Sequence, residues 1–511
     1  MSNTSRIAKN TLALYFRQII TMLVSLYTVR VKFEILGVED YGIFNIVSGV
    51  VILFTFLNGA MASATQRFLN FALGRNDAEK ARNVYSASLV FHALIAVLVI
   101  ILAQTVGLWF FNNRLNIPPE RQGAAFIVYQ FSVVATVMGI LQVPYRATIF
   151  AYEKMSFFAM LSIVESALRL GIVFLLPVIL LDKLVVYAFL MCIAGLIILL
   201  IHKVYCNKTF EIAHFRYFRD KELLRQLLQF SGWTTFSGVA SIGRVQGTNI
   251  LLNIFHGVML NAAMGIAMQV HAAVHQFVSN FQTAFKPQIV KSYSASNYDY
   301  FMRLIFRTSK ISFYLLLFFV LPLYINMGFI LQIWLNNVPE YAVTFTQLLL
   351  LFSLINAIIA PLWMSIQATG DIKKYQIISG SLVLANLPLS LLVLWMAFNP
   401  VWVLVIRLGL EIIILVWLIF FLGGKIKLPV LIFFCRVIIP VILITGGAGF
   451  MTIFLRSFFL SDWNRLIVSC VISALSIGGL IYWVGLDKQE RGLLRNFVKT
   501  KIDSIKQRKA T

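Results

Sequence analysis

The chain has 511 residues, of which 60% are hydrophobic and only 12% are charged, and its mean hydropathy is +0.85. Soluble globular domains carry about 25% charged residues, so this composition excludes a soluble fold and indicates an integral membrane protein. The net charge of +23 would suggest nucleic acid only in a soluble basic domain. Because most of the basic residues here lie in the loops between apolar segments and at the chain ends, we expect no nucleic-acid partner.

Apolar segments of about 20 residues, long enough to cross a bilayer as helices, recur along the whole chain. We therefore predict an all-α integral membrane protein with about 14 transmembrane helices. The predicted segments, in chain order, are 10–32, 41–63, 84–111, 124–150, 155–180, 184–205, 228–254, 258–284, 308–333, 342–368, 374–398, 401–422, 429–454 and 463–485.

The distribution of Lys and Arg predicts the orientation of these helices. If the N-terminus is cytoplasmic, 31 of the 43 basic residues fall in cytoplasmic loops and termini and 7 on the outer side. This asymmetry follows the positive-inside rule and predicts that both termini are cytoplasmic. The net charge then faces the anionic lipids of the inner leaflet.

An internal repeat appears when the chain is aligned with itself at an offset of 220 residues. LGVEDYGIFNIVSGV (36–50) then aligns with HGVMLNAAMGIAMQV (256–270), and Gly37 meets Gly257. Helices one and seven thus start in the same orientation, as in transporters built from two parallel repeats with the substrate site between them. We predict two six-helix lobes around a central cavity.

The repeat sets the expected domain boundaries. They are an N-lobe of helices 1–6 (1–215), a C-lobe of helices 7–12 (216–428), two extra C-terminal helices (429–486) and a basic cytoplasmic tail (487–511).

Two acidic residues, Glu165 and Glu411, lie deep in predicted helices, and each has an arginine four positions away. This spacing places Glu165 with Arg169, and Arg407 with Glu411, on one helix face. We interpret Arg407–Glu411 as a structural ion pair. Glu165 with Arg169 is the proton-coupling candidate, because a carboxylate halfway through helix five can exchange a proton.

Arg17 and Arg244 have no acidic residue at pairing distance on their own helices, which the repeat makes equivalent. A planar guanidinium binds two phosphate oxygens at once. The two arginines therefore predict a cationic cavity for an anion. Pairing with Glu165, Glu411 or backbone carbonyl groups is the alternative.

Polar residues near Arg244 extend this predicted substrate-binding site. Gln246 and Asn249 lie in the same helix, and His271 and His275 are four residues apart in the next. Two histidines at this spacing can bind a metal, but no third ligand is evident. We therefore interpret them as lining the cavity, and we expect neither a metal nor a cofactor.

Motifs of soluble enzymes, such as GxxxxGK[ST], GxSxG and HExxH, do not occur in the sequence. A membrane glycan polymerase, the alternative from another functional class, would carry a sizeable extracytoplasmic loop, whereas the predicted outer loops are short. We therefore expect a transporter and not an enzyme.

The opening of the chain, NTLALYFRQIITMLVSLYTVRVKFEILGVEDYGIFNIVSGVV (10–51), followed by RFLNFALGRND (67–77), resembles a known family. This family is the polysaccharide-transporter branch of the multidrug/oligosaccharidyl-lipid/polysaccharide exporter superfamily, which includes O-antigen flippases. The resemblance extends over the full length.

The resemblance implies a flippase that moves a polyprenyl-pyrophosphate-linked oligosaccharide from the inner to the outer leaflet by alternating access. Such a protein serves the synthesis of cell-surface polysaccharides, including O-antigen and lipopolysaccharide, and lies in the bacterial inner membrane. Its partners would be the lipid-linked substrate, membrane lipids and glycan-assembly enzymes. Related flippases carry cavity arginines on the first helices of their lobes, where Arg17 and Arg244 lie. A cation-coupled multidrug exporter of the same superfamily is the nearest alternative.

Overall fold

The computed structural model describes residues 3–75, 77–152, 154–217, 220–294, 297–335, 337–369, 372–487 and 490–491. Within these ranges the chain consists of helices joined by short turns and contains no β-strand. The α-helices are α1 (Asn3–Leu53), α2 (Phe56–Gly74), α3 (Ala78–Leu102), α4 (Leu108–Arg114), α5 (Gln122–Leu141), α6 (Val143–Ala151), α7 (Met155–Leu175), α8 (Lys183–Thr209), α9 (Lys221–His256), α10 (Val258–Ser294), α11 (Tyr298–Ile325), α12 (Met327–Leu335), α13 (Ala342–Thr369), α14 (Lys373–Trp395), α15 (Val401–Ile426), α16 (Val430–Phe433), α17 (Ile439–Arg456) and α18 (Asp462–Leu480).

Several crossings continue through a turn of π-helix or 3-10 helix. The π-helical turns are Ala103–Gly107, Phe434–Ile438 and Ile481–Gly485, and the 3-10 turns are Pro119–Arg121 and Leu176–Val178. Most of the predicted tail, from residue 492 onwards, lies outside the described residues.

The number of membrane crossings agrees with the predicted fourteen. Twelve segments in the described part of the chain are long and apolar enough to span a bilayer. One of these, Ile20–Leu53, is divided at Gly37 into parts of two crossings. α9 is not among the twelve, because Arg244 and several amides lower its hydropathy, but its 36 residues exceed the length of a span. The predicted all-α membrane fold is confirmed.

Two glycines separate the first and second helix of each predicted repeat. Gly37 has φ 77° and ψ 175°, and Gly257, its partner at an offset of 220 residues, has φ 75° and ψ −170°. Side chains other than that of glycine rarely adopt positive φ, so the two positions need this residue type. The shared conformation supports the repeat alignment.

The chain forms two compact units. Unit 1 comprises Met1–Gln269, Trp334–Phe345 and Lys373–Ile406, and unit 2 comprises Val270–Ile333, Thr346–Ile372 and Arg407–Thr511. The division into two lobes at the boundaries derived from the repeat remains a prediction.

In unit 1 the second part of α1 packs closely against the start of α10. Ile43, Ile46 and Val47 of α1 are fully buried in the apolar core. A Cβ atom at Gly42 would overlap the carbonyl oxygen of Val258 at the first position of α10. Small residues allow such close approach of helices within membranes.

A charged cluster joins three helices of unit 1 near their ends. Arg121 binds Asp40 through two hydrogen bonds of 2.8 and 2.7 Å, and it also donates to Asp182, the N-cap residue of α8. Burial raises the pKa of Asp182, but hydrogen bonds from Arg121 and from the backbone N–H of Val185 hold it below its usual range. The cluster fixes the relative positions of α1, α5 and α8.

Unit 2 is built around α11, which packs against α17 and α18. Tyr314 of α11 lies against Gly485, and Leu321 of α11 lies against Gly449 of α17. Farther along, Arg456 donates a hydrogen bond of 2.7 Å to the carbonyl oxygen of Ile325. The C-terminal helices are thus packed against α11 at several points along its length.

Gly42→Ala should destabilise the protein by about 1–3 kcal/mol, the usual cost of overpacking, because its Cβ has no room beside the Val258 carbonyl group. Thermal unfolding of the purified protein in detergent would show a lower Tm. Gly59→Ala is the matched control, since no atom lies within 4 Å of its added Cβ. Equal Tm values for both variants would contradict this close contact.

Candidate functional site

A cavity of about 330 Å³ lies within unit 1 between α1, α5, α6, α7 and α8. Its walls combine charged, hydroxyl, amide and aromatic groups. They include Phe44, Ser48, Phe131, Ser132, Thr136, Gln142, Arg146, Glu165 and Arg169. We call this space the unit 1 cavity.

The predicted pair of Glu165 and Arg169 is formed on α7 and lies in the wall of the unit 1 cavity. Arg169 donates a hydrogen bond of 2.6 Å to Glu165, and their side chains are 50% and 40% exposed. Arg146 of α6 contributes a second guanidinium. The cavity walls therefore carry two arginines and one carboxylate, which leaves a positive charge.

Lys32 lies beside this cavity. Its side chain is almost completely buried, and its ammonium nitrogen lies 4.6, 5.0 and 5.4 Å from the ring centres of Tyr41, Phe44 and Tyr187. Aromatic faces attract a cation, and the attraction grows when water is excluded. Phe44 also lines the unit 1 cavity, so it separates Lys32 from that space.

Arg244 lies in α9, half-buried, with its Nε atom buried. Gln246 and Asn249 of the same helix face Gly49 of α1: a Cβ atom there would lie 2.6 Å from Gln246 Oε1 and 3.6 Å from Asn249 Nδ2. The polar face of α9 is thus directed in part at another helix of unit 1.

Four asparagines form a cluster where α9 meets α10. Asn261 donates to the backbone and side-chain oxygens of Asn249, at 2.7 and 2.8 Å. Asn253 donates to Asn261 at 2.9 Å and exchanges hydrogen bonds with the backbone of Asn116. The asparagine cluster closes the turn at Gly257 and fixes the polar end of α9.

Three predicted residues of the substrate site remain to be described, namely Arg17, His271 and His275. Arg17 lies in α1, and its side chain is outside the described residues. His271 Nδ1 lies 2.7 Å from Ser353 Oγ in unit 2. The ring centre of His275 is 5.8 Å from that of His271, and no group of three metal-ligating residues occurs in the part of the chain that the structure describes.

Arg407 and Glu411 of α15 are both buried in unit 2, with exposed fractions of 3% and 5%. The guanidinium of Arg407 lies 4.1 Å from the ring centre of Phe352. This burial and stacking are consistent with a structural role.

Sequence reasoning did not select Lys32, Arg146, Asn253 and Asn261. Lys32 and Arg146 stand near the ends of apolar segments and were counted with loop charges. The two asparagines could have been identified from the sequence, because polar residues within membrane helices are costly and usually have a structural or functional role.

The fold and cavity define a membrane protein of a known transporter architecture. The structure described as "Lipid II flippase MurJ, inward closed conformation" aligns with a TM-score of 0.69 at 14% identity, over 93% of this chain and 98% of that chain. An inward-facing multidrug resistance MATE family transporter of the MOP superfamily aligns with a TM-score of 0.64 at 13% identity, over 82% and 99%. A MOP superfamily transporter from Pyrococcus furiosus gives 0.60 at 14% identity, over 82% and 96%.

Residues 7–291, more than half of the chain, match the family described as polysaccharide biosynthesis protein. The chain belongs to this family, and its resemblance to the polysaccharide-transporter branch of the exporter superfamily is confirmed. No curated protein matches the chain.

Asn261→Ala should lower stability by about 1–3 kcal/mol, because it leaves buried partners in the asparagine cluster without hydrogen bonds. A lower Tm in detergent would show this. Asn113→Ala is the matched control, since Asn113 is exposed and donates its hydrogen bond to the Trp109 carbonyl group of its own helix. A Tm equal to that of the control would mean that the cluster does not hold the α9–α10 turn.

Proposed function

We propose that this protein is a flippase that moves a polyprenyl-pyrophosphate-linked oligosaccharide from the inner to the outer leaflet by alternating access. The observation that carries this proposal is the positive charge of the unit 1 cavity, where Arg146 and Arg169 face a single carboxylate, Glu165. An anionic pyrophosphate group is attracted to such a wall, and guanidinium groups can bind its oxygens in pairs.

The other groups of the cavity suit a glycan. Ser132, Thr136 and Gln142 offer hydrogen-bond donors and acceptors to sugar hydroxyls, and Phe44 and Phe131 offer flat apolar surfaces. Arg244 on α9, together with Arg17 on α1, extends the proposed anion site. Gln246, Asn249, His271 and His275 are proposed to contact the sugars.

Membership of the polysaccharide biosynthesis family and the fold shared with a lipid II flippase support this proposal. Both favour a lipid-linked glycan as the substrate class. We further propose that the protein acts in O-antigen-like or lipopolysaccharide synthesis in a bacterial inner membrane. We also propose, from the distribution of Lys and Arg, that both of its ends are cytoplasmic. Glycan-assembly enzymes are its proposed protein partners.

A cation-coupled multidrug exporter is the second candidate, and the MATE transporter folds favour it. Such an exporter needs carboxylates that attract cationic drugs. The unit 1 cavity has more arginines than carboxylates, so its charge favours an anionic substrate. A membrane glycan polymerase has no specific support among the described residues.

Arg244→Ala should reduce glycan export about tenfold or more if its guanidinium binds the pyrophosphate, because a hydrogen bond to a charged group contributes about 1.5–3 kcal/mol. The assay restores a deletion strain at matched protein levels and measures surface glycan and the leaflet distribution of its lipid-linked precursor. Trapping of the precursor in the inner leaflet is the expected result.

Two further variants sharpen this assay. Arg244→Lys keeps the charge but removes the planar fork, so failed rescue indicates paired binding of oxygens. Arg225→Ala, on an exposed position of the same helix, should export normally. Normal export by Arg244→Ala would remove this residue from the proposed site.

Glu165→Gln should reduce export and abolish its dependence on the proton gradient, because an amide cannot carry the coupled proton. The measurement is glycan export with the proton gradient intact or dissipated. Glu34→Gln is the matched control, since Glu34 lies 3.6 Å from Arg30 in another pair with four-residue spacing and similar exposure. Undiminished wild-type export without the gradient would rule out proton coupling.

A further inference from the structure

A second pocket, of about 260 Å³, lies in unit 2, where the first turns of α11 and α16 meet the residues that follow α18. The Lys and Arg distribution predicts that these helix ends are cytoplasmic. Four basic and two acidic side chains line the pocket beside apolar ones. The charged residues are Arg303, Arg307, Lys310, Arg436, Asp487 and Glu490. We call this the interfacial pocket.

Glu490 is held by groups on the inner wall of the interfacial pocket. Lys310 lies 2.9 Å and Arg307 3.3 Å from its carboxylate oxygens, and the backbone N–H of Asp487 donates to it at 3.0 Å. Burial raises the pKa of Glu490, but these hydrogen bonds and charges outweigh that effect and hold it below its usual range. Glu490 is therefore ionised at neutral pH, and Lys310 and Arg307 balance its negative charge.

The two outer arginines remain accessible. Arg436 is 61% exposed and lies 3.8 Å from Asp487, a long and solvent-screened contact. Arg303 is exposed and forms no ion pair with another residue in the described part of the chain. Four basic groups face two carboxylates, so the pocket keeps two positive charges, and they lie on its open side.

An apolar surface continues from this pocket along the adjoining helices. Met302, Phe306 and Ile432 form part of its wall. Next to it, Leu431 is 77% exposed and Ile442 of α17 is 63% exposed. A headgroup in the pocket would thus leave its acyl chains beside an apolar helix face that points towards lipid.

The charge and the apolar continuation favour one occupant over others. The chain's own tail is rich in basic residues, among them Lys499, Lys501 and Lys506, so it is repelled by a cationic pocket. A free phosphate ion would satisfy the arginines but not the exposed apolar face. Basic pockets between transmembrane helices on the cytoplasmic side are suited to anionic lipid headgroups.

We propose that the interfacial pocket binds the phosphate of an anionic phospholipid, with Arg303 and Arg436 as its accessible ligands and the acyl chains along α16 and α17. This lipid is a bound membrane component distinct from the transported glycan lipid. The site does not depend on the proposed transport function.

The test titrates the purified full-length protein in neutral detergent with phosphatidylglycerol and measures bound lipid by native mass spectrometry. We expect Arg303→Gln/Arg436→Gln to bind it about 30-fold more weakly, which corresponds to about 2 kcal/mol for two interfacial charges. Arg303→Gln alone, which breaks no described ion pair, should weaken binding about fivefold. This single variant keeps the test valid if the double variant does not fold.

Lys203→Gln/Lys208→Gln is the matched control, because it removes two exposed positive charges from the basic end of α8 in unit 1. It should bind phosphatidylglycerol as the wild type does. Unchanged binding in both arginine variants would overturn the proposal, as would equal binding of zwitterionic phosphatidylcholine. Displacement of the lipid by an equal concentration of glycerol phosphate would identify a free-anion site instead.

Discussion

The cost of placing a charge in an apolar medium is the constraint on which the rest of this structure depends. An arginine at the centre of a membrane helix costs about 3 kcal/mol or more. In the described part of the chain this cost is met in different ways. Arg169 binds a carboxylate of its own helix, and Lys32 lies among aromatic rings. Lys310 of α11 binds Glu490, which follows α18 in the chain. The contacts of Lys32 and Lys310 join different parts of the chain, and loss of Glu490 would leave Lys310 as a buried charge without its partner.

Much of the fold follows from local sequence features. Hydropathy predicts the crossings because each helix meets the same apolar solvent. The predicted repeat singles out Gly37 and Gly257, which share a backbone conformation with positive φ. The four-residue spacing also predicts the Glu165–Arg169 pair. These features depend on residues close in sequence, for which helix geometry fixes the distance.

The surroundings of single polar residues depend on other helices and were harder to predict. No residue near Lys32 in the sequence predicts its contact with Tyr187, which belongs to α8. The amides of α9 form a polar face in the sequence, but only the fold shows that Gly49 admits Gln246 beside α1. The fold alone is also shared by a lipid II flippase and a multidrug transporter. The charge of a cavity therefore says more about a substrate than the architecture does.

Asn45 and Gly265 are aligned with each other in the predicted repeat, and in the structure they lie side by side. A Cβ atom at Gly265 would lie 2.7 Å from Asn45 Nδ2, so the amide fits only because its counterpart has no side chain. In a symmetric dimer of identical chains, a residue near the symmetry axis lies against the same residue of the other chain, so two identical side chains must fit into one space. Two large amides would collide there, and two glycines would leave a gap. Joining both halves in one polypeptide lets the two positions diverge, so that a large residue on one side is compensated by a small one on the other.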